Sequence, residues 1–344
     1  IKAVDEYQDL LRISIASASN DHRLGANEAP PAIVSIFLGT ELNDILESIE
    51  KSTTYDAKAK EQLKVGVHVL PRFFKDTTDR NRTSPFAFTG NKFEFRMLGA
   101  SASISDANTV LNTAVAQELK QFADTLEKAD DFGKALNELI KKVIREHKRI
   151  IFNGNGYEQA WIEEAEKRGL LNLKSAPDCI PYLLKEKNID LFESHRVLSK
   201  TEIHSRYEVM LESYCKMLNI EALTMIDMTR KDILPAVSAF SKELSETALL
   251  KKKINPENEC GYEENLVKRI SELSSAMYVK VGELESAMSE VKKITDAADS
   301  ARFYRDTVFA TMKWIRAYAD ELESMTDKKY WPYPSYGEIL FSVM

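Results

Sequence analysis

Cysteine is scarce in this chain. Its 344 residues hold three, Cys179, Cys215 and Cys260. They are far apart, odd in number and without a C-x-x-C pair. That argues against a disulfide framework and a thiolate metal site, and it predicts reduced thiols in a cytoplasmic protein. Positive charge is not in excess either. Lys and Arg number 47 against 54 Asp and Glu, for a net charge of -7 and a pI of about 5.5. No global field favours nucleic acid or an anionic membrane surface. No apolar run approaches the roughly 20 residues that span a bilayer, and no charged-then-apolar leader opens the chain. The first residue is Ile1 rather than Met, and Ile1 to Leu11 reads as the end of a helix. The sequence therefore reads as part of something longer.

What is present fits a globular chain with two or three domains. Hydrophobic residues make up 44% and charged residues 29%, enough for a substantial core. In the first 125 residues short elements alternate. Leu10 to Ala16 predicts a strand, and Asn20 to Pro31 a loop carrying His22, Arg23 and Glu28. An apolar run, Ala32 to Leu38, follows, then an amphipathic helix over Glu41 to Ile49 and a strand over Val65 to Leu70. His68, with no second His or Cys near it at ligand spacing, reads as structural. Asn108 to Leu126 has helical spacing, with Val110, Ala114, Val115 and Leu119 on one side.

The most informative stretch is Asn81 to Arg96. It ends in Lys92-Phe93-Glu94-Phe95-Arg96, and a strand has a side-chain period of two. Phe93 and Phe95 are predicted to enter a core while Lys92, Glu94 and Arg96 share the opposite face. A carboxylate between two cations stays ionised. The pattern suits a metal ligand with cations beside it for an anionic substrate, but taken alone it is more often an exposed strand face with solvated charges.

Three segments in order carry a resemblance to a known family. His22-Arg23-Leu24-Gly25-Ala26-Asn27-Glu28-Ala29-Pro30-Pro31, then Arg80-Asn81-Arg82-Thr83-Ser84, then Lys92-Phe93-Glu94-Phe95-Arg96 resemble the signatures of glutamine synthetases. The wording is similar to the type III branch, as are Asn153-Gly154-Asn155-Gly156-Tyr157 and Tyr330-Trp331-Pro332-Tyr333-Pro334-Ser335-Tyr336. Glutamine synthetases activate glutamate with ATP as γ-glutamyl phosphate, which ammonia then attacks. The resemblance implies an α+β fold: residues 1–125 as the C-terminal part of the catalytic domain, an antiparallel sheet with helices, and residues 126–344 as a helical region with an antiparallel bundle. It implies Glu94 as a ligand of Mg²⁺ or Mn²⁺, and Arg96 facing the phosphoryl group or a substrate carboxylate. Arg82, Lys92 and Arg80 would meet the ATP phosphates, with Arg82 also stabilising the transferring charge. Arg23 would hold the glutamate α-carboxylate, and Glu28 would shield the acyl phosphate and deprotonate ammonium. Partners would be glutamate, ammonium, ATP and further copies of the chain in stacked rings, a dodecamer.

Two departures stand out against the commoner forms of the family. The Arg23 to Glu28 interval is one residue shorter, and a further arginine expected near Ala87 is replaced by apolar residues. The family's β-grasp domain and paired metal-binding glutamates would precede Ile1, so these 344 residues alone are expected to be inactive. The alternative is a helical assembly or interaction module that has lost catalysis.

From residue 127 onward the pattern is mostly helical. Glu127 to His147 is amphipathic. Asn153 to Gly156 is a glycine-rich turn with no Lys-Ser/Thr after it, so it predicts an ordinary turn rather than a phosphate loop. Ser199 opens a helix, and Ala222 to Lys253 predicts another, bent at Pro235. Leu266, Ile270, Leu273, Met277, Val281, Leu284, Met288 and Val291 recur at three- or four-residue steps as a packing seam. Ala297 to Met325 is a further helix. His195 reads as surface, and the aromatic stretch from Tyr330 to Tyr336 as packed on a domain or a neighbouring subunit.

Overall fold

A helix follows Ile1 at once. In the computed structural model, which describes residues 1–26, 29–53, 55 and 81–341, α1 spans Lys2–Glu6 and α2 spans Gln8–Ile13. The predicted strand at Leu10 is therefore a helix. Leu10, Leu11, Arg12 and Ile13 are all buried in succession, which a strand with one solvent face cannot do, and the Ser14 amide donates to the Leu10 carbonyl at 2.9 Å. The predicted loop also begins as a helix, α3 (Ala18–Arg23). Ser17 is extended and accepts the Asn20 amide at 3.1 Å, an N-cap that the Asn/Gly/Pro content of the segment hides.

The chain divides into two compact units, Ile1–Met210 and Leu211–Met344. The first holds a small sheet of β1 (Ile36–Phe37), β2 (Phe86–Phe88) and β3 (Phe93–Phe95), in the order β1-β2-β3. β1 and β2 are parallel while β2 and β3 are antiparallel, so the sheet among the described residues is mixed rather than antiparallel. The cause lies in the connection. β2 and β3 form a hairpin, whereas α4 (Thr40–Lys51) and the residues after it separate β1 from β2. The predicted strand Val65 to Leu70 and His68 lie outside the described residues.

The same unit also holds α5 (Ser105–Leu126), α6 (Phe132–His147), α7 (Gln159–Lys167), α8 (Ala176–Cys179) and α9 (Glu186–Ser194). After Ser175, α8 is followed by a 3₁₀ turn, Ile180–Leu184, with Cys179 and Ile180 buried. Buried charge ties the N-terminal helices to later segments. Asp5 receives Arg149 Nε at 2.8 Å and contacts His147 Nδ1 at 2.8 Å. Arg12 donates to the Leu173 carbonyl at 2.8 Å and to Asp21 at 3.0 Å. Asn188 donates to Asp9 at 3.1 Å. His195 is half-buried, its Nε2 lying 2.8 Å from Gln117 Oε1, rather than at the surface.

In the second unit α11 (Leu234–Ile254) and α14 (Ala310–Met325) both pack on α12 (Gly261–Val291). Lys251 pairs with Glu263 and Arg230 with Glu285, so α11 and α12 run antiparallel. The predicted seam is buried from Ile270 to Val291. The two helices expected from Ser199 and Ala222 are one run. α10 (Lys200–Met228) passes through a π turn, Thr229–Ile233, into α11. The π turn sits just before Pro235, whose ring crowds the carbonyl of Lys231 and whose nitrogen cannot donate to it. α13 (Ala297–Phe303) joins α14 through another π turn, Tyr304–Phe309, and a short α15 (Tyr336–Phe341) follows. The aromatic stretch touches its own unit through Tyr330 and Tyr333, while Tyr336 is exposed. The Tyr330 ring lies 5.6 Å from that of Phe240, and Tyr333 Oη donates to Asp232 at 3.0 Å.

Candidate active site

The β2–β3 hairpin positions the predicted carboxylate. Its turn closes with the Thr89 amide donating to the Lys92 carbonyl at 2.9 Å, and Gly90 supplies the positive φ (+91°) that the turn requires. Cross-strand partners are Phe86 with Phe95, Ala87 with Glu94, and Phe88 with Phe93. The four phenylalanines therefore share one face, their ring centroids 5.2–5.8 Å apart across the strands. That anchors the hairpin as the alternation predicts, with one correction. Phe93 is 46% exposed, because β3 is at the edge of the sheet and only β2 pairs with it among the described residues.

On the other face Glu94 sits between its two cations. Arg96 donates to Glu94 Oε2 from Nη2 at 2.9 Å and from Nε at 3.2 Å. Lys92 Nζ lies 3.5 Å from Glu94 Oε1. The Arg96 hydrogen bonds hold the Glu94 carboxyl below its ordinary range, the charges of Arg96 and Lys92 add to this, and desolvation opposes it. Glu94 is thus ionised, as expected from its neighbours.

Arg96 is held from two further sides. Its Nη1 donates to the Asn81 carbonyl at 2.9 Å, and its own carbonyl accepts Arg23 Nη2 at 3.1 Å. Arg23 Nη1 also donates to the Met97 carbonyl at 3.0 Å and to Asn20 Oδ1 at 3.2 Å. Arg23, Asn81, Glu94 and Arg96 therefore form one connected network, with Lys92 at its rim. Arg82 follows Asn81 in the turn; it is exposed and makes no hydrogen bond or ion pair among the described residues. Glu28 and Arg80 lie outside the described residues. Ala87, near which the resemblance leads one to expect a further arginine, is completely buried in β2. A guanidinium has no room there.

Sequence reasoning missed the residues that hold this network together. Asn81 Oδ1 accepts the Thr83 amide at 3.1 Å and the Thr83 hydroxyl at 2.7 Å, a side-chain turn that an Asn-x-Thr spacing signals. Asn81 Nδ2 donates to the Gly154 carbonyl at 2.8 Å, and the Gly156 amide donates to Thr83 Oγ1 at 2.8 Å. The glycine-rich turn thus docks on the arginine-bearing turn, 73 residues away in sequence. A groove of about 750 Å³ reaches Asn153 and Gly154, but none of the predicted site residues that are described lines it. Most of its cations are already paired: Lys148 with Glu50, Arg149 with Asp5, Arg168 with Glu164.

Hard divalent cations take six or more oxygen ligands. Among the described residues no group of three Asp, Glu, His or Cys side chains could hold a metal ion. These residues do not by themselves fit a metal centre; Glu94 can supply one oxygen donor.

The site is thus an ionised carboxylate held by one guanidinium and one ammonium, beside an exposed arginine with no partner among the described residues, a set of groups able to meet anions. Comparison with known proteins gives the kinship. Residues 135–253 match the family model of the glutamine synthetase C-terminal domain. The whole chain is 45% identical to a glutamine synthetase of Butyrivibrio fibrisolvens, covering 49% of that protein. It is 38% identical over 99% of its length to a type-3 glutamine synthetase of Dictyostelium discoideum, and 38% identical over 98% to a glutamine synthetase of Bacteroides fragilis (strain YCH46), covering 47% and 48% of those proteins. This chain is a relative of glutamine synthetases, a type-3 enzyme among them, and it spans about half the length of the curated relatives it matches.

Proposed function

We propose that this chain provides one wall of the active site of an ATP-dependent glutamate–ammonia ligase, which makes glutamine through γ-glutamyl phosphate. The observation that carries this reading is the Lys92–Glu94–Arg96 constellation, with Arg82 on the adjoining turn, in a chain related along its full length to glutamine synthetases. Arg82, Lys92 and Arg80 would bind the ATP phosphates, and Arg82 would counter the charge of the transferring phosphoryl group. Arg96, oriented by Glu94 and Asn81, would face the phosphoryl group or a substrate carboxylate, sharing its guanidinium with these partners. Arg23 would serve the substrate α-carboxylate; its present donation to two backbone carbonyls is compatible with a loop that also orders Arg96. Glu28 would take the proton of ammonium and keep water from the acyl phosphate.

A divalent ion, Mg²⁺ or Mn²⁺, would find one ligand in Glu94 and must draw its other donors from elsewhere. Assembly into stacked rings, a dodecamer, and a cytoplasmic location belong to the same proposal. No helix among the described residues is long and apolar enough to cross a membrane.

Calorimetric titration with ATP tests this. The chain is expected to bind ATP, and Arg82→Ala and Arg96→Ala each to weaken binding about tenfold, the loss of one charge-assisted contact. No binding, or binding untouched by both substitutions, overturns the reading and leaves the assembly module as the better account. The same 344 residues are expected to show no γ-glutamyl transfer; appreciable turnover would refute that part.

A further inference from the structure

The glycine-rich turn Asn153–Gly156 has no place in the chemistry just described, yet its contacts lead straight to it. It touches the arginine-bearing turn at two points. The Gly154 carbonyl accepts Asn81 Nδ2, and the Gly156 amide donates to Thr83 Oγ1, each at 2.8 Å. The approach is close enough to demand glycine, since a Cβ on Gly156 would lie 2.7 Å from the Thr83 carbonyl oxygen. The turn is itself anchored in the sheet. Asn153 Oδ1 accepts the Leu38 and Gly39 amides at 3.0 and 3.1 Å, and the Phe152 amide donates to the Ile36 carbonyl of β1 at 2.8 Å. Asn81 in turn presents its carbonyl to Arg96 Nη1.

We propose that Asn153–Gly156 is a positioning element for the anion-handling arginines, acting through Thr83 and Asn81. Thr83 and Asn81 are positioning residues, and neither needs to touch a ligand. The chain of contacts runs from β1 through Asn153 to Gly154 and Gly156, then to the Asn81–Thr83 turn that carries Arg82, and from the Asn81 carbonyl to Arg96. A shift of the glycine turn therefore displaces Arg82 directly and removes one of the restraints on the Arg96 guanidinium. Sub-ångström placement of such groups decides how well they grip a phosphate. The link from arginine placement to nucleotide binding rests on the function proposed above; the positioning itself does not.

The test uses the 344-residue chain labelled with ¹⁵N-arginine. Thr83→Val removes the hydroxyl that accepts the Gly156 amide and keeps the side chain's shape, whereas Thr83→Ser keeps the hydroxyl. Gly156→Ala disturbs the same contact from the other side. In Thr83→Val and Gly156→Ala the Arg96 Nε–Hε resonance is expected to shift and its exchange with solvent to quicken about tenfold. The Arg12 resonance should stay in place, and Thr83→Ser should match the parent chain. An unmoved Arg96 signal in both disturbing variants, or a Thr83→Ser variant that behaves like Thr83→Val, overturns the proposal. Alongside, the Kd for ATP should rise about tenfold in Thr83→Val. An unchanged Kd refutes the functional consequence. If the parent chain binds no ATP, the nucleotide reading falls while the Arg96 signal still decides the positioning.

Discussion

The two units hold themselves together by different means. In Leu211–Met344 the order of the sequence is close to the order of the packing. α12 carries a seam of apolar side chains three or four residues apart, and it meets α11 across a short connection. In Ile1–Met210 the decisive contacts join distant segments through polar groups: Arg12 to Leu173, Asp5 to Arg149, Asn81 to Gly154. A helical seam tolerates one lost contact by repacking at some cost. A buried charge that loses its partner has no such recourse.

The sharpest way to break this contrast is to remove one partner from each unit. Arg12 is 1% exposed and its Nη2 rests on Asp21, whose other oxygen accepts the Ala176 amide at 2.6 Å. Asp21→Ala should destabilise the first unit by about 3–5 kcal/mol, because a buried guanidinium is stranded. Leu284 is completely buried in the α12 seam. Leu284→Ala should cost about 2–5 kcal/mol and act on the second unit. Denaturant unfolding reports on each unit if fluorescence is read from Trp161 alone, in the first, or from Trp314 and Trp331, in the second. Equal effects of both substitutions on both probes would show that the units unfold as one and dissolve the distinction.

The same difference explains what could be read in advance. The seam from Leu266 to Val291 and the helices α4, α5, α6 and α12 were legible because helical periodicity is local. So was the ionised state of Glu94, since both its cations are within two residues. Leu10 to Ala16 misled because complete burial erases the periodicity that separates strand from helix. The mixed sheet was not legible because nothing in Ile36-Phe37 names its partner 50 residues later. A disturbance near Pro235 is legible, but the continuous run from Lys200 through a π turn is not; proline marks strain without saying that a π turn will absorb it. At the candidate site the sequence singles out charged side chains but not the contacts that hold them. Asn81 and Thr83 read as part of a motif, Asn153 to Gly156 as an ordinary turn, and only folding brings the two together.

The smallest effect expected here separates the two kinds of carboxylate in the first unit. Asp21 is buried, and desolvation pushes its pKa up despite Arg12 and the Ala176 amide. Glu94 is more exposed, and its hydrogen bonds from Arg96 pull its pKa down. The signs for stability are opposite. Asp21 holds its proton more tightly folded than unfolded, so its contribution is most favourable at low pH and is lost as pH rises through its raised folded pKa. Glu94 holds its proton less tightly when folded. Its contribution is present above the unfolded value near 4.5 and is lost as pH falls through the lowered folded pKa. Carboxylate ¹³C titration by NMR should place the Glu94 midpoint below 4.5 and that of Asp21 above 3.8. Arg96→Met should return Glu94 toward 4.5 and leave Asp21 where it was. A Glu94 midpoint indifferent to Arg96 would mean that the Glu94–Arg96 pair is only two solvated charges on a strand face.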